Sequence, residues 1–352
     1  MNTAITECGS YEREEVRRAL ETLIENTGFP DVKGKKVLVK PNLLSDLPPE
    51  TAVTTHPVVV EELLRLIKER GALEIRCGDS SGMQTKALSA GKCGIEAAIA
   101  SQGAVFTDLR SEYTQMSING FDIPISNYAL QADVVISAAK FKTHQLMLST
   151  GAVKNLFGCV PGMLKAEMHV KAFNNISFAQ VLIGLYETIR PQWSLIDAVV
   201  GMDGPGPRNG RARKVGYLMA SENGYALDKA EAVMMGYKQV PLIKAAEEKF
   251  PGCTDTDYPL LNPYDLVMKD FSRIPEKKTS MLRVGIDNLF GLDSRPYPVF
   301  QRDKCKLCQR CVSVCPGKAL RKEDGRIKIE KKKCIHCYCC HEMCPFDAIV
   351  IK

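Results

Sequence analysis

Residues 305–316 read Cys-Lys-Leu-Cys-Gln-Arg-Cys-Val-Ser-Val-Cys-Pro, and residues 334–345 read Cys-Ile-His-Cys-Tyr-Cys-Cys-His-Glu-Met-Cys-Pro. Both stretches have the spacing Cys-x-x-Cys-x-x-Cys-x-x-x-Cys-Pro and lie 29 residues apart, so they form an internal sequence repeat. Thiolate is the soft ligand that iron–sulfur clusters use, and two-residue gaps let three sulfurs of one loop reach one cubane. The duplicated run therefore predicts two [4Fe–4S] clusters.

The fourth cysteine of each run cannot close its own loop, and in two-cluster proteins of this spacing it ligates the other cluster. The predicted ligands are Cys305, Cys308, Cys311 and Cys344 for the first cluster, and Cys334, Cys337, Cys340 and Cys315 for the second. Tetrahedral zinc usually takes two separated pairs of ligands, so the spacing favours iron–sulfur over zinc or disulfides. Cys339 fits neither repeat. We interpret it as a bystander beside Cys340, with an indirect role at the cluster or an exchange of ligands left open.

The last 52 residues resemble the bacterial two-cluster ferredoxin, a small α+β module. The resemblance implies one-electron transfer. Residues 301–352 carry 13 Lys and Arg against 6 Asp and Glu, whereas the preceding 300 residues carry 34 against 35. The basic residues include Lys304, Lys306, Arg310 and the run 331–333, which offset the negative charge of thiolate-bound clusters. A nucleic-acid-binding tail would also be basic. This tail, however, lacks aromatic residues interspersed among the basic ones and lacks a recognisable nucleic-acid-recognition motif. We therefore predict an acidic redox partner and no nucleic acid.

Composition places the rest of the chain among globular proteins. The 352 residues are 45% apolar, enough for a large buried core. Residues 1–7 lack the basic and apolar pattern of a signal peptide, and no segment has about 18 consecutive apolar residues. We therefore expect a soluble protein with no membrane partner. The cysteines outside the two runs are odd in number and scattered, at Cys8, Cys77, Cys93, Cys159 and Cys253. They suggest a reducing cytoplasm.

Short apolar runs alternate with helical periodicity before the cysteine module. Strands are predicted at 36–40, 72–76, 104–106, 133–137, 194–198 and 215–218. Helices are predicted from His56-Pro57 to Gly71 and near 89–100, 177–190 and 228–236. This alternation is typical of an α/β domain with a mainly parallel sheet. We expect that domain over residues 1–298 and the two-cluster domain over 299–352, with a proline-rich boundary near 295–298.

Ligands of such sheets bind beyond the carboxyl ends of the strands. Lys142, His144, Lys40 and His56 are the candidate catalytic residues there. The candidate ligand-binding residues are Asn42, Asp79, Ser80, Lys140, Lys154, Asn155, Lys165, His169, Gly204 and Gly206. Ammonium, amide and backbone N–H groups all donate to carboxylate or phosphate, so the set suits an anionic small molecule.

Each candidate also has a structural interpretation. Asp79 and Ser80 fit a helix cap, the stretch 204–207 fits a tight loop, and His56 fits a cap or a packing role. Lysines are commonly exposed. Lys140, Lys142 and His144 have the stronger pattern, because a period of two in an extended strand points all three to one side.

Several short motifs of the first domain are similar to the family catalogued as domain of unknown function 362. They are Val39-Lys40-Pro41-Asn42-Leu43, Thr55-His56-Pro57, Gly78-Asp79-Ser80, the stretches 140–144 and 151–158, and Ala226-Leu227-Asp228. The similarity spans most of residues 35–240, and members of that family often carry such a two-cluster tail. The family supplies no agreed activity. The arrangement of His and Lys residues at strand ends is also similar to that of the lactate racemase group. No motif in this chain is close enough to assign that group's chemistry to it.

The chain has no Gly-x-Gly-x-x-Gly after a strand and no Walker A motif, so neither nicotinamide nor ATP is indicated, while a flavin stays open. Two functions fit. In the first, the clusters pass single electrons to or from a ligand or cofactor of the α/β domain, as in a ferredoxin-linked oxidoreductase. In the second, the chain is a non-enzymatic binding or maturation factor whose clusters serve a protein partner.

Overall fold

A mixed eight-stranded sheet forms the centre of the first domain in the computed structural model, which describes residues 1–80, 91–162, 164–172, 174–275 and 295–352. Its strands are β1 (Thr3–Glu7), β2 (Lys36–Pro41), β3 (Glu74–Asp79), β4 (Val105–Asp108), β7 (Val134–His144), β8 (Leu148–Ser149), β9 (Trp193–Asp203) and β10 (Arg211–Ser221). Strands β5 (Tyr113–Ile118) and β6 (Phe121–Ser126) form a separate hairpin.

The strand order is β1-β10-β9-β7-β2-β3-β4, with the short β8 paired to the end of β7. All neighbours from β9 to β4 are parallel, and β10 and β1 add an antiparallel edge. The predicted α/β class with a mainly parallel sheet is confirmed.

Helices cover both faces of the sheet. They are α1 (Arg13–Asn26), α2 (Pro57–Glu69), α3 (Ile95–Ser101), α4 (Asn127–Gln131), α5 (Gly151–Asn155), α6 (Leu164–Lys171), α7 (Asn175–Ile189), α8 (Gly224–Met234) and α9 (Pro241–Lys249). Because successive strand residues point to opposite faces, Val37 and Val39 enter the core shared with α1 and α2. Leu38 enters the core shared with α7, α8 and α9. The two cores clamp the sheet and fix the position of its carboxyl edge.

Strand β7 differs most from expectation. It continues through His144, so Lys140, Lys142 and His144 lie within a buried strand and do not follow it. A register shift interrupts its pairing with β9 between Lys140 and Lys142. The strand tolerates these ionisable groups because other parts of the chain supply buried partners for them. The predicted helix at 89–100 is observed only as α3, and its first two residues lie outside the described residues.

The cysteine module consists of two small antiparallel pairs of strands and short helical turns. Strand β11 (Pro298–Phe300) pairs with β14 (Ile349–Ile351), and β12 (Leu320–Glu323) pairs with β13 (Arg326–Ile329). The two helical turns are Arg310–Ser313 and Cys339–Glu342, one in each repeat. Pairing of β11 with β14 joins the beginning and end of the module, so it closes around its own small core.

Candidate functional site

The eight predicted cluster ligands surround two cavities. Cys305, Cys308, Cys311 and Cys344 line the first cavity, a space of about 310 Å³ that includes open solvent. Cys315, Cys334, Cys337 and Cys340 line the second, a space of about 360 Å³ that also includes open solvent. The fourth cysteine of each run thus lies at the cavity of the other run. Across the described ranges, no three His, Cys, Asp or Glu side chains are grouped closely enough to hold a single metal ion.

The backbone around both cavities repeats as closely as the sequence does. Non-glycine residues with positive φ occur at Leu307, Gln309 and Lys318, and again 29 positions later at His336, Tyr338 and Asp347. Such backbone costs energy and is kept where the surroundings require it. The N–H groups of Ala319 and Ala348 donate to Cys315 Sγ and Cys344 Sγ at 3.2 and 3.4 Å. Because N–H donors stabilise thiolate sulfur, both sites fit a [4Fe–4S] cluster.

A buried network begins with Lys40 near the carboxyl end of β2. Its Nζ donates to Asp79 Oδ2 at 2.6 Å, to Asn155 Oδ1 at 3.0 Å and to Pro41 O at 2.8 Å, and the side chain is only 1% exposed. Gly158 leaves the room for this pair, because a Cβ there would lie 2.3 Å from both Lys40 Nζ and Asp79 Oδ1. Lys40 is therefore fully engaged within the protein.

Lys142 belongs to the same network. Its Nζ donates to Asn42 Oδ1 at 2.7 Å and to Val53 O at 2.6 Å, and Asn42 Nδ2 donates to Asn155 Oδ1 at 3.3 Å. Burial lowers the pKa of Lys142 well below its ordinary value, as expected for an amine removed from water. Lys40, Asn42, Lys142 and Asn155 thus form one connected wall at the carboxyl edge of the sheet.

Four groups meet where this wall faces the cysteine module: His144, Lys154, His169 and Glu342, which we call the interface site. His144 Nδ1 accepts from the N–H groups of Leu146 and Met147 at 3.1 and 3.2 Å. Its proton is therefore on Nε2, which lies 3.1 Å from Glu342 Oε1 and donates to it. Burial lowers the pKa of His144 to about 4, so the imidazole is neutral near pH 7.

The other members of the interface site have unused bonding capacity. Lys154 Nζ makes no hydrogen bond to any residue that the structure describes, and burial lowers its pKa while Glu342 opposes that shift. His169 Nδ1 is buried without a hydrogen-bond partner in the described parts of the chain, and its ring stacks on Phe178 with centroids 4.5 Å apart. Burial opposes ionisation of Glu342, but His144 and Lys154 outweigh it and bring the pKa to about 2. Its carboxylate is therefore the counter-ion of the site.

Ser80, which follows the end of β3, contacts both Lys165 of α6 and Val160 in the segment before that helix. Lys165 Nζ donates to Ser80 O, and Ser80 Oγ donates to Val160 O. Burial lowers the pKa of Lys165 to about 8. These contacts hold the chain that carries His169 against the sheet. Residues 81–90, which follow Ser80, lie outside the described residues.

Lys140 and His56 have different partners. Lys140 Nζ donates to Asp197 Oδ2 at 2.7 Å and to Tyr11 Oη at 2.9 Å, and Tyr11 Oη donates to Asp197 Oδ1 at 2.9 Å. His56 stacks on Tyr11 with centroids 3.5 Å apart, and its Nδ1 accepts from Val58 N–H at the beginning of α2. Lys140 and His56 thus both contact Tyr11, and His56 has the capping and packing roles that were its structural alternative.

Gly204 and Gly206 shape a loop that contacts the module. Thr143 Oγ1 donates to Gly204 O at 2.8 Å, and a Cβ on Gly206 would lie 2.3 Å from Thr143 O. Beyond them, the Arg208 guanidinium donates to Cys344 O, and Pro205 O lies 3.1 Å from His341 Nε2. The loop therefore joins the carboxyl edge of the sheet to the second repeat of the cysteine module.

Sequence reasoning missed two residues that support the interface site. Glu342 stands where the first repeat has Ser313, so a comparison of the repeats was the available signal. The Asp228 carboxylate accepts from the N–H groups of Ala152 and Val153 and anchors α5, the helix that carries Lys154. Burial raises the pKa of Asp228 to about 8. The motif at 226–228 pointed to this residue without showing what it holds.

Family comparisons agree with both resemblances drawn from the sequence. The family described as "Domain of unknown function (DUF362)" matches residues 37–232, and the family described as "4Fe-4S dicluster domain" matches residues 297–345. The C-terminal part of the chain is therefore an iron–sulfur, ferredoxin-like domain.

Individual relatives show the same division. The "Thylakoid-associated protein sll1697" of Synechocystis is 32% identical over 88% of this chain and 97% of that protein. The "Thiosulfate reductase electron transfer subunit PhsB" of Salmonella typhi is 44% identical, over 13% of this chain and 26% of that subunit. The apoprotein of lactate racemase from Thermoanaerobacterium thermosaccharolyticum aligns over 66% of this chain and 57% of that chain at 16% identity. Its TM-score of 0.44 is too low to support a functional conclusion. No helix among the described residues is long and apolar enough to cross a bilayer.

Proposed function

We propose that this chain, which belongs to the family described as domain of unknown function (DUF362), transfers single electrons between a redox partner and an anionic ligand held at the interface site. The observation that carries the proposal is the 3.1 Å contact between His144 Nε2 and Glu342 Oε1. Glu342 lies on the helical turn Cys339–Glu342, two residues after the predicted ligand Cys340. The polar end of the α/β domain and the second thiol cavity therefore share one boundary.

The thiols would hold two [4Fe–4S] clusters, the first by Cys305, Cys308, Cys311 and Cys344 and the second by Cys315, Cys334, Cys337 and Cys340. Bound there, the clusters supply one-electron chemistry. Arg208 and the loop around it keep the module against the sheet. The roles of the chain itself are to fix this docking, to exclude water from the boundary, and to orient the ligand.

Lys154 and His169 are the groups best placed to receive an anionic ligand. Lys154 has no hydrogen bond within the described ranges, and the buried His169 Nδ1 has none either. Lys40 and Lys142 instead use their donors inside the wall, where they support the strand ends. A carboxylate or phosphate oxygen would bind beside Lys154 and share or replace the counter-ion role of Glu342. A ligand in that position would lie next to the second thiol cavity, and the chain would then be a ferredoxin-linked oxidoreductase.

A second candidate function follows because the hydrogen-bond donors of the wall already have partners within the protein. Because Lys40, Lys142 and Asn42 are paired internally and Glu342 already balances the site, the α/β domain could hold no small molecule at all. The chain would then be a binding or maturation factor whose clusters serve a protein partner. For either function we propose a reducing cytoplasmic location, in keeping with its free cysteines.

The experiment is anaerobic purification followed by iron and sulfide analysis and mass spectrometry of co-purifying small molecules. We expect about eight iron and eight sulfide per chain, as two four-iron clusters require. Calorimetry with oxalate and with inorganic phosphate should show binding that Lys154→Met weakens about tenfold or more. The matched control, Lys332→Met, changes an exposed lysine of the module and should leave binding unchanged. Stoichiometric zinc without sulfide would end the electron-transfer proposal. Iron–sulfur protein with no anion binding would favour the partner-serving alternative.

A further inference from the structure

The two repeats of the cysteine module have different surroundings. In the second repeat, the helical turn Cys339–Glu342 faces the α/β domain, where His341 and Glu342 contact Pro205 and His144. In the first repeat, the equivalent turn Arg310–Ser313 has exposed residues at both of its ends. Cys308 of the first cavity is exposed as well. The first cavity therefore has a side open to solvent, while the second borders the interface site.

Cations surround the open side of the first cavity. Arg302, Lys304, Lys306 and Arg310 are all exposed, and none forms an ion pair with a residue that the structure describes. Asp303 is the only acid between residues 301 and 322. Unpaired cations on one side of a module create a positive potential that attracts an acidic surface and speeds its approach. No carboxylate among the described residues forms an ion pair with these cations that would cancel this potential.

An exposed aromatic residue lies beside these cations. Phe346 lines the first cavity and is 41% exposed. Partner surfaces commonly combine a central aromatic contact with a charged rim. We call Arg302, Lys304, Lys306, Arg310 and Phe346 the open face. Its composition suits a protein partner and distinguishes it from a surface that only balances the charge of a cluster.

We propose that the open face docks a small acidic one-electron carrier protein, and that electrons pass between that carrier and the interface site through the first thiol cavity and then the second. The charge complementarity and the exposed Cys308 carry this inference. In the reducing direction, the carrier would lose one electron, a cluster held at the first cavity would gain it, and a cluster held at the second cavity would receive it in turn. This order of electron transfer rests on the proposed two-cluster function. It adds to that function the class of partner and the face of the module to which the partner binds.

The test compares two charge-reversal triples in the full-length, cluster-containing protein. The first is Lys304→Glu, Lys306→Glu and Arg310→Glu on the open face. The control is Lys322→Glu, Arg326→Glu and Lys332→Glu, which reverses two exposed lysines and one exposed arginine elsewhere in the same module. Both triples change the net charge equally. The probes are an acidic flavodoxin and an acidic plant-type ferredoxin, each titrated in its oxidised form by calorimetry at low salt.

We expect at least one probe to bind the wild type with an affinity that falls as salt rises. The open-face triple should weaken that binding tenfold or more, and the control triple less than threefold. Stopped-flow reduction by the reduced probe should slow in parallel, while reduction by dithionite and the iron content stay unchanged. Phe346→Ser should weaken binding without changing its dependence on salt, because the side chain is uncharged.

Equal effects of the two triples would overturn the proposal, because net charge alone would then explain binding. Failure of both probes to bind the wild type at low salt would also overturn it. Either result leaves the proposed electron-transfer function standing as long as dithionite still reduces a protein with a full complement of iron and sulfide. Loss of that complement in the wild type would instead contradict the proposed function itself.

Discussion

Lys142 and Lys154 are predicted to differ sharply when each is replaced by methionine, which has a similar length and no charge. Lys142→Met removes both donors to Asn42 Oδ1 and Val53 O and leaves two buried acceptors without a partner. Each such acceptor costs about 1–3 kcal/mol. Relief of the unfavourable burial of the amine offsets part of that cost. We expect a net loss of about 2–4 kcal/mol in the free energy of unfolding.

Lys154→Met removes a cation that has no hydrogen bond within the described residues, and Glu342 keeps the hydrogen bond from His144. The change also removes a charge that helps keep the buried Glu342 ionised, a cost that relief of the burial of the amine offsets in part. The expected loss in the free energy of unfolding is therefore smaller than for Lys142→Met, about 1 kcal/mol, and anion binding should weaken about tenfold or more. Trp193 is the single tryptophan and is fully buried in the sheet, so its fluorescence reports unfolding of the α/β domain. The assay is anaerobic urea unfolding followed through this signal, with the wild type as the reference.

A lower urea midpoint for Lys142→Met than for Lys154→Met would agree with the structure. Equal midpoints would refute the division of the lysines into a supporting wall and a ligand-facing group. A larger loss for Lys154→Met would mean that Lys154 has a structural partner and is not free for a ligand. Far-ultraviolet circular dichroism of each folded variant is the control for a gross change in fold.

Three further changes have expected outcomes. The unfolded chain protonates His144 near pH 6.5 and the folded chain only near pH 4, so the free energy of unfolding should fall by up to about 3 kcal/mol as pH decreases through that window. His144→Gln should remove this part of the pH dependence in urea midpoints, and identical profiles would contradict it. Gly158→Ala should lower the melting temperature by forcing Lys40 from Asp79, and an unchanged melt would contradict that contact. Cys308→Ala should remove about half of the iron, whereas Cys339→Ala should remove none by iron and sulfide analysis.

The parallel centre of the sheet was predictable because its strands are buried on both faces and therefore appear as continuous apolar runs. Strand β1 and the hairpin β5–β6 were not predicted. Only Ala4 and Ile5 are apolar within Thr3–Glu7, and the outer strand Tyr113–Ile118 is mostly exposed, so neither has a strong apolar signal. Their position depends on pairing and on packing that a local pattern does not contain.

The convergence of Lys40, Asn42 and Lys142 was predictable, because carboxyl ends of parallel strands meet at one edge of a sheet. Whether these side chains have hydrogen-bond partners within the protein was not predictable. Whether a lysine is satisfied depends on groups distant in sequence, such as Val53 O for Lys142 and Asp79 for Lys40. The register shift between β7 and β9 at Lys140 and Lys142 likewise has no local signature in the sequence.

The sequence differences between the two repeats are explained by contacts with the α/β domain. Where the first repeat has Val312 and Ser313, the second has His341 and Glu342, and both of these later residues contact the α/β domain. Duplication alone would predict equal surroundings for the two cavities, so these substitutions identify the repeat that docks. Glu342 lies on the same helical turn as Cys340, which lines the second thiol cavity. If the proposed ligand binds beside Glu342, we therefore expect it to change the surroundings of that cavity through a single turn of helix.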